Sequence, residues 1–261
     1  MRLMALALLL TTSPVLAQTR PLHTEEASTP SAGTLWIEAG VAGIRDVPNF
    51  ASGARRSLWD VPELRLVYSP AGAVELGVAW TSRVIAVHDP ELAKTVSDFG
   101  DVVLRAKWRF LEARPGRPAL AARVVLMLPE TSFKDGLGPD TLRTSAELLA
   151  SRTLGPVSLH ANAGLGLDDR PTKLHAQADF FVYRLAVAGR VAHGVEVLGE
   201  IAGRAIGPSS PGAAEHCEVR LGLRYNHGRL RWDAALRRGL LAADGTWGAI
   251  AGLSWRIRPR S

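Results

Sequence analysis

The chain has very little of what stabilises or arms many exported proteins. Cys217 is its only cysteine, so no disulfide forms within the chain and stability must come from packing and hydrogen bonding. No stretch reaches the roughly 20 consecutive apolar residues that a membrane-spanning helix needs. The histidines (His23, His88, His160, His175, His193, His216 and His227) are scattered. No Cys/His pair has the spacing of a zinc site, so neither a metal nor a cofactor is expected. The formal net charge is +6, but lysine and arginine are mostly dispersed through the alternating segments rather than gathered into a basic tract. That dispersal argues against a nucleic-acid partner.

The one continuous apolar run, Leu3–Leu10, follows Arg2 and precedes Val15-Leu16-Ala17, which places short side chains before a cleavage point. That is the pattern of a secretory signal peptide over residues 1–17. Residues 18–33 are polar, contain Pro, Ser and Thr, and lack periodicity. They read as a flexible periplasmic leader or as a segment tucked into a lumen, and the sequence leaves both open. Residues 34–261 form one domain.

What fills that domain is alternation. In Gly100–Leu111, Val102, Leu104, Ala106, Trp108 and Phe110 interleave with Val103, Arg105, Lys107 and Arg109. A period of two belongs to a β-strand, whose successive side chains leave on opposite faces. The pattern recurs at 34–42, 57–68, 74–84, 118–128, 141–152, 157–167, 176–187, 195–204, 217–225, 230–239 and 247–257. With 102–111 that makes twelve strands, joined alternately by long and short connections. About 10 residues, tilted by about 40°, cover the apolar band of about 25 Å in an outer membrane. A sheet can cross lipid only if it closes, because every backbone polar group needs a partner.

The fold expected is therefore an all-β, antiparallel, up-and-down transmembrane barrel with short turns and both termini on the periplasmic side. A soluble β-sandwich or lipocalin-like barrel would show the same alternation. It would not place charges on the polar face of strand after strand, nor aromatics at strand ends. Trp36, Tyr68, Trp80, Trp108, Tyr225, Trp247 and Trp255 are read as interfacial girdles. Segment 176–187 is apolar on both faces, and Phe181, Tyr183, Leu185 and Val187 are assigned outward.

The inward positions supply the candidate site. A basic ladder runs through Arg105, Lys107 and Arg109, with Arg123 on the next strand and Arg143 beyond it. Acidic lumen positions are Glu63, Glu75, Asp101 and Glu147, then Glu196, Glu200, Glu218 and Asp233. The basic ladder is read either as solute-facing or as a set of struts paired with these acids. Because Glu196, Glu200 and Glu218 lie on other strands, the two signs are expected to face each other across the pore. Ser158, His160 and Asn162 add polar lumen positions at i, i+2 and i+4. Same-face neighbours stand about 7 Å apart along a strand, too far for a nucleophile and its base. No catalytic residue is assigned, and no enzymatic activity is expected.

Several segments bear a family likeness. Gly100-Asp101 with Lys107-Trp108-Arg109-Phe110, Leu128-Pro129, and Leu148-Leu149-Ala150-Ser151-Arg152-Thr153-Leu154-Gly155 are three of them. Leu159-His160-Ala161-Asn162 and Leu221-Gly222-Leu223-Arg224-Tyr225 are two more. Together they resemble outer-membrane proteins grouped as the MetA-pathway of phenol degradation family. The likeness runs from about Leu58 to the C-terminus. It implies a barrel in the bacterial outer membrane, embedded in its lipid, that moves small aromatic or hydrophobic compounds. The function expected is passive, porin-like transport of small aromatic or anionic solutes. The rivals are a non-conducting structural barrel and an outer-membrane lipid-modifying enzyme.

Overall fold

The structure is a computed structural model that describes residues 20–49, 52–87, 95–169, 177–206 and 214–258. The expected signal peptide, 1–17, lies outside the described residues. Strands β1 (Leu35–Pro48), β2 (Arg55–Ala71), β3 (Val74–Thr81), β4 (Val84–Val87) and β5 (Val96–Asp98) open the chain. They are followed by β6 (Val102–Leu111), β7 (Ala119–Leu128), β8 (Arg143–Leu154), β9 (Val157–Asp169) and β10 (Gln177–Ala192). The last are β11 (Val195–Ile206), β12 (His216–His227), β13 (Leu230–Gly239) and β14 (Trp247–Ile257). All pairings are antiparallel, and β1 bonds both β2 and β14, which closes the sheet. Twelve strands form the wall. The short hairpin β4–β5 extends it, β4 pairing with the outer half of β2 beyond the end of β3.

Strand limits differ from the sequence reading at the rim. The expected loop 43–56 is mostly strand: β1 and β2 stay paired out to Pro48 and Arg55. The expected turn 188–194 shrinks to His193-Gly194, with Gly194 at φ +74, a backbone region where glycine carries no Cβ penalty. Part of the expected loop 85–98 is likewise paired as β4 and β5. In each case the main-chain ladder continues past the apolar band, because leaving those groups unpaired costs more than polar side chains there do. At the outer rim Ala86, Val96 and Leu137 form a small buried cluster with Leu58 and Val84, which pins the 129–142 connection over β2 and β4.

The apolar face is outside. Leu148, Leu165, Leu185, Leu221 and Leu236 are all exposed, Leu221 to 71%. The inward positions of the same strands are buried and largely charged, as Glu147, Arg220 and Arg237 show. A soluble barrel has the reverse arrangement. Trp108, Tyr225, Trp247 and Trp255 stand on this outer surface, where an interfacial aromatic belt belongs. Trp36 does not. It is only 4% exposed and points into the lumen, with the guanidinium of Arg231 4.9 Å and that of Arg256 5.6 Å from its ring. Strand-end position alone assigned it to the girdle. Its register, opposite Val67 and Arg256, puts it on the inner face.

Candidate functional site

The lumen holds the chain's own N-terminal segment. Of the two readings of 18–33, the structure gives the second for its described residues, 20–33. Arg20 ion-pairs with Glu63 on β2 at 2.8 Å and donates to the Ala251 carbonyl of β14 at 2.9 Å. Gly40 and Gly252, paired across β1 and β14, leave the hollow in which that guanidinium lies, and a Cβ at either would overlap it. Glu200 on β11 accepts the backbone N–H of both His23 and Thr24. Arg220 and Arg224 on β12 donate to the carbonyls of Pro21 and Arg20. Further along, Ser151 Oγ accepts the Ala27 N–H at 2.8 Å and the Gly72 carbonyl accepts the Thr29 hydroxyl.

Main-chain pairing to the wall begins only at Gly33, whose N–H reaches Ser69. Among the described residues, 20–32 make no backbone–backbone hydrogen bond to a strand. Side chains hold the segment, aided by two apolar seats: Leu22 against Ala186, Ala188 and Leu198, and Ala27 against Ala119, Ala121 and Leu149.

The centre of the site is a row of four charged side chains on adjacent strands. Glu75, Lys107, Arg123 and Glu147 are direct register partners on β3, β6, β7 and β8. Lys107 pairs with Glu75 at 2.9 Å, and Arg123 pairs with Glu147, which Arg184 on β10 also contacts. That leaves two cations side by side, an arrangement that is destabilising on a strand pair. Glu25 of the inserted segment lies over both. Its Oε2 is 2.8 Å from Arg123 and 3.9 Å from Lys107, and its Oε1 accepts from Arg65 on β2 at 2.8 Å. Asn162 on β9 fixes the backbone at the same point. Its Oδ1 accepts the Glu25 N–H and its Nδ2 donates to the Glu25 carbonyl, both at 2.8 Å. The Glu25 side chain is 2% exposed.

The remaining expected positions distribute as follows. Arg105 points inward two residues from Lys107. Among the described residues it has no ion pair, and its Nη1 is buried without a hydrogen-bond partner. Arg109 pairs with Glu112 at the short-turn end, and Arg143 with Asp168, which Arg204 shares. Glu196 pairs with Arg224, Glu218 with Arg220 and Arg237, and Asp233 lies 3.5 Å from Arg20. Asp101 sits at the outer rim, where its carboxylate accepts the N–H groups of Glu130 and Thr131. The two signs therefore do not face each other across the pore, which corrects the expectation. They interleave on neighbouring strands, because a carboxylate next door neutralises an arginine at contact distance, whereas water would weaken the attraction across a lumen.

Ser158, His160 and Asn162 do not act together. Asn162 clamps Glu25, while His160 Nδ1 lies 2.9 Å from the hydroxyl of Ser151 on β8, a contact that sequence spacing within one strand cannot show. This Ser–His pair borders an apolar crevice of about 590 Å3 whose lining includes Leu159, Leu185, Val187 and Ile201. Among the described residues no carboxylate is hydrogen-bonded to His160, and the Ser151 oxygen is already occupied by the Ala27 amide. Sequence reasoning also missed Glu25, Arg65 and Arg184. Arg65 and Arg184 sit at inward positions of alternating strands and were legible as such. Glu25 lies in a stretch without periodicity and was not. Among the described residues, no cluster of His, Cys, Asp or Glu is arranged to hold a metal.

No family profile matches the sequence, and no curated protein does. Solved structures do. The COG4313 outer membrane channel from Pseudomonas putida F1 superposes with a TM-score of 0.66 at 16% identity, covering 88% of this chain and 97% of that one. A NanC porin gives 0.56 at 7% identity, over 85% and 100% of the two chains. A KdgM porin gives 0.52 at 8%, over 84% and 98%. At these identities the likeness is one of fold: a barrel of the outer-membrane type.

Proposed function

We propose that the chain is a passive channel of the bacterial outer membrane for small anionic solutes, aromatic carboxylates among them, with residues 20–33 as its plug. The observation that carries this reading is the pairing of an apolar outer wall with a charged lumen whose occupant, over residues 20–32, is held only through side chains. A segment bound by ion pairs and single hydrogen bonds can be exchanged for water and solute. A strand of the wall cannot, since it would leave a ladder unpaired. The similarity of fold to an outer membrane channel and to porins supports transport as a class. The resemblance of the Gly100–Phe110 and Leu148–Gly155 segments to the MetA-pathway of phenol degradation family supports aromatic solutes. Arg105 supports the preference for anions, as a lumen cation that among the described residues has no carboxylate of its own.

A planar-bilayer recording of the purified protein tests the reading. Wild-type protein should conduct, and in a salt gradient its reversal potential should favour anions. Arg105→Glu should move that potential toward cations, and by more than Arg109→Glu, because Arg109 is already paired with Glu112. A folded, inserted protein that passes neither ions nor solutes would leave the lumen arginines as internal struts, the rival that their extensive pairing favours.

A further inference from the structure

Glu25 is held in an unusual way for a residue of an otherwise weakly attached segment. Cations from three strands converge on one carboxylate, Arg65 on one oxygen, Arg123 and Lys107 on the other. The wall's own acids in that row flank the same cations from the outer side, Glu75 on Lys107 and Glu147 on Arg123 and Arg184, and leave the face between Lys107 and Arg123 to Glu25. Arg105, on the same face as Lys107, contributes a further positive charge and a buried, unpartnered Nη1. Take away Glu25, and the two directly opposed cations Lys107 and Arg123 lose the charge that lies between them. The wall at this level is thus built around a carboxylate it does not itself provide.

We propose that this cluster is a carboxylate-binding site of the channel and that Glu25 is an internal stand-in for the solute's carboxylate. A solute carboxylate takes the place of Glu25 between Arg65 and Arg123, and the segment loses its strongest contact as the solute gains it. Binding of the solute and release of the plug are then one exchange. The side-chain character of the attachment fits this: Asn162, Ser151 and Glu200 each hold the segment by hydrogen bonds that water can replace. The apolar seats of Leu22 and Ala27 are small. The inference rests on the channel reading for its purpose, but the site itself is a matter of binding and is testable without any current.

The test is calorimetric titration of full-length, detergent-purified protein with benzoate at low salt, with benzamide as the uncharged control. A competitor that occupies the site lowers the apparent affinity by the fraction of time it is in place. Glu25→Gln, which keeps the shape but removes the charge, should therefore bind benzoate about tenfold or more tightly than wild type. Adding Arg123→Gln to that variant should abolish the gain, and benzamide should bind neither. Heat-modifiable migration on gels checks that each barrel is folded. If Glu25→Gln does not fold, Asn162→Ala loosens the segment while leaving its charge, and it should raise benzoate affinity in the same direction. Equal benzoate affinity in wild type and folded Glu25→Gln, or equal binding of benzamide, would overturn the proposal. A protein that shows the benzoate shift yet conducts nothing would uphold the site and sink the channel. One that conducts without the shift would do the opposite.

Discussion

The sharpest test of the wall is a charge placed at its lipid-facing centre. Leu221 lies near the middle of β12, with six residues of the strand after it, and 71% of it is exposed. At about 3.3 Å of rise per residue it stands far from both rims. Arginine at the mid-depth of an outer-membrane barrel costs about 2–4 kcal/mol, or roughly 30- to 700-fold in the folding equilibrium. The same substitution at Leu230, the first residue of β13, falls at the edge of the band and should cost at most about 1 kcal/mol. Val103→Arg enters the lumen beside Ala79 and Met127, away from lipid, and should cost far less than Leu221→Arg. Denaturant titration of folding into lipid vesicles, followed by tryptophan fluorescence, measures all three. If Leu221→Arg costs no more than Val103→Arg, the two faces of the wall have been misassigned.

Other consequences are as specific. In a Cys217→Ser background, cysteine placed at Lys134 in the long 129–142 connection should react with an impermeant thiol reagent on intact cells. Cysteine at Glu112 in the short turn should not, and labelling of Glu112 alone would invert the orientation. In single-tryptophan variants, lipid-borne quenchers should dim Trp108 and leave Trp36 bright, since Trp36 is enclosed in the lumen against Arg231; equal quenching would return Trp36 to the girdle. Glu147→Gln strips Arg123 and Arg184 of a shared carboxylate and should cost about 3–5 kcal/mol in the same vesicle titration. A loss under about 1 kcal/mol, the size of an exposed pair, would mean that lumen water screens the row.

Most of the wall was legible because a barrel makes the same demand at every position. Each strand must show lipid an apolar side chain and turn the next one inward, so Val102 to Leu111 alone sets the period that the other strands repeat. Strand ends were harder. Past the apolar band the outward positions no longer need to be apolar, and the β1–β2 ladder runs on to Pro48 and Arg55 without a hydropathy signal. Trp36 was misread for a related reason: an aromatic at a strand end fits a girdle unless parity is counted from the neighbours. Partner choice inside the lumen was not legible either, because it depends on cross-strand register. Lys107 meets Glu75 and Arg123 only once β3, β6 and β7 are aligned.

The inserted segment has no periodic signature, yet the wall carries two marks of it. The first is apolar: Ala119, Ala121 and Leu149, and again Ala186, Ala188 and Leu198, are inward positions that a water-filled lumen has no reason to line with hydrocarbon. Ala186 and Ala188 keep the end of β10 apolar on its inner face too, since one face meets lipid and the other seats Leu22. The second is electrostatic. Lys107 directly opposite Arg123 is a pairing that strands avoid, and the flanking Glu75 and Glu147 balance each cation from the outer side only. An apolar seat requires a side chain to fill it, and two adjacent cations require an anion over them. Taken together, these positions call for a short polar segment bearing an acid among small apolar residues. Within this chain, the stretch that precedes the first strand and reads Leu22-His23-Thr24-Glu25-Glu26-Ala27 meets both requirements.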